Sequence, residues 1–346
     1  MKPLSSLSNL APLKDLARRG WMPGIMDFGR LVPSYFRVAF LGAGLRGGIL
    51  QQLDRRPATV AELVGELGMD PELSDGLASW LDLGVTLGEL RCEDGRYALR
   101  SRRARSLVRP GNDPLAAMYE KMAELDHRLV AETPQRLREG RRFELGDADA
   151  EIVARSSRLG EPWLAEAVRR LVPAQGPVRL LEVGCGSGAH IRTACRHNPA
   201  LTALGLELQE PAAELARRNL ADWGLGDRAQ VETGDVRDRT PDGSFDVVTL
   251  HQNVYYFPER EQAEVLRHLA GFLAPGGRLV ATTVVRGTGI ATCGLDLWGA
   301  MTRGAARLPL VDELTARLQQ AGLEQVQAIP LGADGMYHAF TGVRPA

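Results

Sequence analysis

The stretch that decides the fold is Val178-Arg179-Leu180-Leu181-Glu182-Val183-Gly184-Cys185-Gly186-Ser187-Gly188-Ala189-His190. An apolar run gives way to alternating glycines, and a helical pattern follows from Ala189 to His197, so the segment reads as strand, tight loop, helix. Gly184, Gly186 and Gly188 let the backbone turn sharply and approach a ligand with no side chain between. The first turn of the helix offers free N–H groups and a positive dipole end to a carboxylate or phosphate.

A glycine loop alone is a common strand-to-helix turn, and three neighbouring features sharpen it. The spacing is G-x-G-x-G, one residue shorter than the dinucleotide fingerprint, with Glu182 two residues before the first glycine. A second strand, 201–206, ends in Glu207, where an acid would hold ribose hydroxyls. A third, 229–233, runs into Gly234, Asp235 and Val236, placing another carboxylate near the same strand edge. Strands at 245–250 and 278–284 alternate with helices at 211–223 and 259–273; a last helix, 311–321, leads to two apolar runs, 325–331 and 337–343. The expected fold class is α/β: a Rossmann-like doubly wound parallel sheet with an antiparallel hairpin at one edge.

Upstream of it the pattern is helical. Thr59-Val60-Ala61-Glu62 is a capping box opening a short helix, and Asp70-Pro71-Glu72 is an N-cap followed by proline. The helix that follows buries Leu73, Leu77, Trp80 and Leu81, and Asp94-Gly95 lies between two short strands as a hairpin turn. Three helices and a two-stranded wing make an N-terminal α-helical winged-helix domain. Its last helix carries Glu72, Asp75 and Asp82, which phosphates would repel, so dimerisation is expected in preference to DNA reading despite Arg100, Arg102, Arg103 and Arg105 beyond the wing. The expected divisions are an arm over 1–34, the winged helix over 35–110, a helical linker and pocket wall over 111–174, and the ligand-binding domain over 175–346. On the linker, Tyr119 and Met122 belong to an apolar stripe with His127 beside it; each suits core packing, and together they suit one wall of a substrate pocket. Trp298 and Met301, in the Gly- and Ala-rich segment 287–308, are candidates to cap that pocket.

Composition narrows the classes. The 346 residues suffice for two domains, and a formal net charge of -1 gives no global field to recruit nucleic acid. The 4 cysteines are scattered with no C-x-x-C pair, which points to reduced thiols and to no metal site. The most apolar early stretch, 31–50, is interrupted by Arg37 and Arg46, so no membrane association is expected and the cytoplasm is the expected location.

The chain resembles the winged-helix, dimeric small-molecule O-methyltransferases of secondary metabolism, and its C-terminal half resembles the cofactor-binding part of class I S-adenosylmethionine (SAM)-dependent methyltransferases. The matching segments are the T-x-x-E helix pair, Asp94-Gly95-Arg96-Tyr97, the Glu182–Gly188 motif, Glu207, Asp235 and Pro275-Gly276-Gly277. The resemblance implies methyl transfer from SAM to a small molecule, S-adenosylhomocysteine as product, and a homodimer built through the N-terminal domain. It implies that the Gly184–Gly188 loop holds the methionine end, Glu207 the ribose and Asp235 the adenine amine, with Glu182 and Val236 also in the cofactor site. There is one departure. The family carries a Leu-His-Asp-Trp-like run after the fourth strand, whose histidine is the general base; here the run reads Val254-Tyr255-Tyr256-Phe257-Pro258, with Tyr255 at the expected histidine position. His251, earlier in the same loop, is the alternative base, and Tyr256 a pocket residue. Without a base, transfer to oxygen or carbon would rest on positioning. Two rival readings stay open: a SAM-binding winged-helix transcriptional regulator, and a non-methylating SAM-dependent enzyme on the same scaffold.

Overall fold

A computed structural model describes residues 11–346, so the first ten residues of the expected arm lie outside the described residues. The chain divides into two units. The N-terminal unit runs to Arg128 and takes in Asp149–Arg158; the C-terminal unit comprises Leu129–Ala148 and Leu159–Ala346. Residues 111–174, expected as a single linker, are thus shared between the two.

In the N-terminal unit one long helix, Met22–Arg46, crosses the expected arm boundary and carries Pro33 inside it. It stops at Gly47-Gly48, where Gly48 adopts φ 73 and starts the next helix, Ile49–Arg55. A left-handed glycine therefore separates the two helices. The Thr59 capping box forms as read: the Glu62 N–H donates to Thr59 Oγ1 at 3.3 Å, and the Thr59 N–H donates to the Glu62 carboxylate at 2.7 Å. That N–H, and then the Arg96 guanidinium, hold the Glu62 carboxyl down at about 2. Helices Val60–Leu67 and Ser74–Thr86 follow, then the hairpin of β1 (Leu90–Glu93) and β2 (Arg96–Leu99). The core centres on Phe40, whose ring stacks on Trp80 at 4.1 Å between centroids. Gly84 lies so close that a methyl there would sit 2.3 Å from Phe40 Cζ.

The C-terminal unit is a seven-stranded sheet. Its strands are β3 (Val178–Val183), β4 (Leu201–Glu207), β5 (Ala229–Thr233), β6 (Phe245–His251), β7 (Leu273–Val284), β8 (Glu324–Pro330) and β9 (Tyr337–Val343). They lie in the order β5-β4-β3-β6-β7-β9-β8, the first five parallel, with β9 antiparallel to both β7 and β8. Successive residues face opposite sides, as strand geometry demands. Leu181, Val248 and Leu279 enter one core with helices Glu259–Gly271 and Val311–Gln320; Leu180, Val247 and Val280 enter the other with Glu161–Leu171, Ala189–His197 and Glu210–Asp222. β7 begins earlier than its apolar run. The Pro275-Gly276-Gly277 turn stays in the sheet through a register shift beside Phe245, with the Gly276 N–H donating to Arg344.

Among the described residues no helix is long and apolar enough to cross a membrane. Removing the central ring of the N-terminal core in Phe40→Ala is expected to cost about 3–5 kcal/mol in urea denaturation, whereas a loss under about 1 kcal/mol would mean that this core does not stabilise the unit.

Candidate active site

The connections from β3 and β6 leave in opposite directions, β3 toward β4 and β6 toward β7, so their carboxyl ends flank the switch-point crevice where doubly wound sheets bind ligands. The loop leaving β3 is bent through Gly184 (φ 66), Gly186 (φ 53) and Gly188 (φ 77), all in the left-handed region that glycine tolerates best. Its geometry is locked from outside. Asn253 Nδ2 donates to the carbonyls of Val183 at 2.9 Å and Gly184 at 3.1 Å, and a Cβ on Gly184 would lie 2.3 Å from that nitrogen. Asn219 Nδ2 holds the Ser187 carbonyl at 2.9 Å. Above Gly186 a Cβ would meet nothing within 4 Å, which leaves open space against the backbone.

Glu207, at the end of β4, closes the loop. Its carboxylate accepts from the Gly186 N–H at 2.9 Å and from the Gln209 N–H at 3.2 Å. A carboxylate has about four acceptor positions, so capacity for ribose hydroxyls remains. Glu182 is buried within the strand; burial first, and then the Glu207 charge, push its carboxyl well above the ordinary range. Asp235 caps the turn after β5, accepting from the Arg237 N–H at 2.9 Å, and the Arg237 guanidinium holds its carboxyl below the usual value. Arg237 lies 5.9 Å from the Phe257 ring centroid. The Val236 side chain packs into the core, and the His268 Nε2–H donates to its carbonyl at 2.9 Å. Val236 can therefore meet a ligand through its backbone more readily than through its isopropyl group.

His251 is the last residue of β6, and its Nδ1 lies 2.8 Å from Oγ1 of Thr282, its register partner on β7. The His190 ring packs edge-on at 4.9 Å. Burial lowers His190 to about 4; burial, and then His190, keep His251 well below the imidazole range. Gln252 follows at φ 56, a strained conformation for a non-glycine residue, and its buried Nε2 has no hydrogen-bond partner among the described residues. Tyr255 is buried, 5.1 Å from the Tyr256 ring and 6.3 Å from Trp298, and burial drives its hydroxyl well above 10. The more exposed Tyr256 ring lies 5.5 Å from Trp298, and burial followed by the Glu207 charge raises its hydroxyl. Met301 joins Leu129 and Phe143 in a small apolar cluster against Trp298, and the Phe143 N–H donates to the Met301 carbonyl at 2.8 Å.

The C-terminal unit thus brings together Glu182, Gly184, Gly186, Gly188 and Glu207 around one loop, and Tyr255, Tyr256 and Trp298 in one aromatic group. Tyr119, Met122 and His127 belong to the N-terminal unit: Tyr119 packs on its core, Met122 is exposed on a π-type turn, and His127 lies 6.0 Å from Tyr35 between ring centroids. Asn253, Asn219, Gln252, Thr282 and Phe143 were not singled out from sequence. Asn253 and Gln252 lie between His251 and the Val254–Pro258 run, where two adjacent side-chain amides after a strand are a signal that sequence does carry. Thr282 and Phe143 act through pairings that sequence spacing does not reveal.

The open loop and the carboxylates of Glu207 and Asp235 suit a cationic nucleoside such as SAM. Residues 181–279 match the family described as a methyltransferase domain. Over 312 residues the chain is 27% identical to demethylspheroidene O-methyltransferase from Cereibacter sphaeroides, covering 86% of this chain and 81% of that protein. The chain is a SAM-dependent methyltransferase. It resembles the small-molecule O-methyltransferases, and its acceptor is a small molecule. The methyltransferase is also 33% identical over 173 residues to methyltransferase GfsG from Streptomyces halstedii, covering 49% of this chain and 60% of that one. The solved structure of mitomycin 7-O-methyltransferase MmcR shares its fold, with a TM-score of 0.78 over 95% of this chain and 99% of that one at 21% identity.

The raised Glu182 carboxyl has a measurable consequence. A carboxyl whose folded value is raised favours the protonated form, so its contribution to stability is whole below the ordinary value of 4.5 and is lost as pH rises through the raised value. In ligand-free protein Glu182→Gln is therefore expected to raise Tm over wild type by an amount that grows from about pH 5 to about pH 8; a difference independent of pH would contradict the assignment.

Proposed function

We propose that this methyltransferase methylates an oxygen of a small, largely apolar acceptor by positioning it, with little proton abstraction by the protein. The observation that carries the reading is that both candidate bases are shifted away from that task. His251 is buried beside His190, and burial, then His190, lowers it well below the imidazole range, which weakens it as a base. Tyr255 is buried with its hydroxyl pushed far into the protonated state. What remains is alignment, which supplies about 7–11 kcal/mol when geometry is good.

When bound, SAM supplies an electrophilic methyl group on a positively charged sulfur. The Gly184–Gly188 backbone and Glu182 would hold its methionine end, Glu207 its ribose hydroxyls, and Asp235 with the Val236 backbone its adenine. The neutral His251 imidazole, oriented by Thr282, can accept a hydrogen bond and fix the acceptor's direction. Tyr256, Trp298 and Met301 supply apolar and aromatic surface for that acceptor. An acceptor that ionises readily, a phenol or an enol, suits a site without an effective base; a carbon nucleophile is the alternative.

The same reading places residues 35–110 in a winged-helix dimerisation domain, with 111–174 as linker and 175–346 as the catalytic domain. Its support for a homodimer is the apolar stripe Trp21, Ile25, Phe28, Leu31 and Tyr35, each between 45% and 69% exposed, along one side of the long helix. The acidic helix Ser74–Thr86 speaks against DNA as partner, and a cytoplasmic location is part of the proposal.

Transfer of labelled methyl from SAM to a panel of phenols and enols tests it. The pH dependence of kcat/KM is expected to move with the acceptor's own pKa, Tyr255→Phe to stay within about threefold of wild type, and His251→Gln to lose less than about 10². An inflection that stays fixed across acceptors and vanishes in His251→Gln would contradict positioning and restore the general base.

A further inference from the structure

Residues 95–112 contain no carboxylate and six arginines, in a chain whose formal net charge is only -1. Arg96 is engaged by Glu62. The other five follow the hairpin, and helix Arg102–Leu107 with the turn beyond it wraps Arg102, Arg103, Arg105, Ser106 and Arg109 around a cavity of about 440 Å³. The carboxylate bonded to this group, Glu89, is buried and already shared: it accepts from Arg37 at 2.9 Å, from Arg103 at 2.8 Å, and from Ser101. Arg105 donates to the Arg100 carbonyl at 2.9 Å, which fixes its direction without reducing its charge. Among the described residues nothing bonds to the Arg102 or Arg109 guanidinium.

We propose that this cavity is a binding site for a small anion with clustered phosphates, of the pyrophosphate or triphosphate class. Four guanidinium groups, of which one is neutralised by a shared acid, leave a charge that a single monoanion does not match. Guanidinium stays charged at any working pH, and its planar fork matches adjacent phosphate oxygens. A concave wall favours a compact ligand over an extended one. The acidic Asp75 and Asp82 on helix Ser74–Thr86 of the same unit would repel the long backbone of a duplex. The ligand could be free inorganic polyphosphate or the phosphate tail of a nucleotide.

Calorimetry on the full chain with inorganic tripolyphosphate and with ATP, both free of magnesium, tests the site. Binding of both is expected, weakening as salt rises and falling at least about tenfold in Arg102→Ala/Arg109→Ala, with the Lys/Lys variant in between and thermal melting unchanged in both. Equal affinity for the two probes would assign recognition to the phosphate chain alone; binding of ATP only, with none of tripolyphosphate, would overturn the proposal. Wild-type affinity in the double alanine variant overturns it as well. Tight binding of a duplex oligonucleotide with none of tripolyphosphate would overturn it in favour of a nucleic-acid surface.

Discussion

The bend after β3 governs the C-terminal unit, and hydrogen bonds from three directions hold it. The Asn253 amide ties down the carbonyls entering the loop, the Glu207 carboxylate takes the Gly186 N–H, and the Asn219 amide fixes the Ser187 carbonyl. Each comes from a different element: the loop after β6, the end of β4, and the helix after β4. Glycine supplies the conformations, but these side chains select one of them. The result is a stretch of backbone with open space above Gly186 and an acid at its rim, which is what a cationic nucleoside requires.

The same crowding explains the electrostatics. Burial near the strand ends raises Glu182 and Tyr255 and lowers His190 and His251, which drives these four groups toward their neutral forms. Glu207 accepts from two backbone N–H groups beside them. The proposed mechanism, in which alignment replaces proton abstraction, draws on that pattern.

Much of this was legible in the sequence. The glycine spacing, the acids ending β4 and following β5, the Thr59 capping box and the Asp94-Gly95 turn are local signals, and each has a local physical cause. The helix break at Gly47-Gly48 is harder to read, because apolar residues at helical spacing continue on both sides of it through Leu45, Ile49 and Leu53. Asn253 and Thr282 were missed for a different reason. Their roles depend on strand pairing and loop packing between positions 31 and 70 residues apart, which no periodicity encodes. The acid–base question likewise turned on burial. Sequence spacing brings His251 and Tyr255 forward as candidates, and burial, which spacing does not reveal, shifts both toward their neutral forms.

Calorimetric titration of SAM and S-adenosylhomocysteine into wild type and Glu207→Ala tests the central claim most directly. The account predicts saturable binding of both ligands to wild type and a loss of at least about tenfold in the variant, which is about 1.4 kcal/mol, with its circular dichroism unchanged. No binding to wild type at millimolar ligand, or equal affinity in the variant, would contradict it.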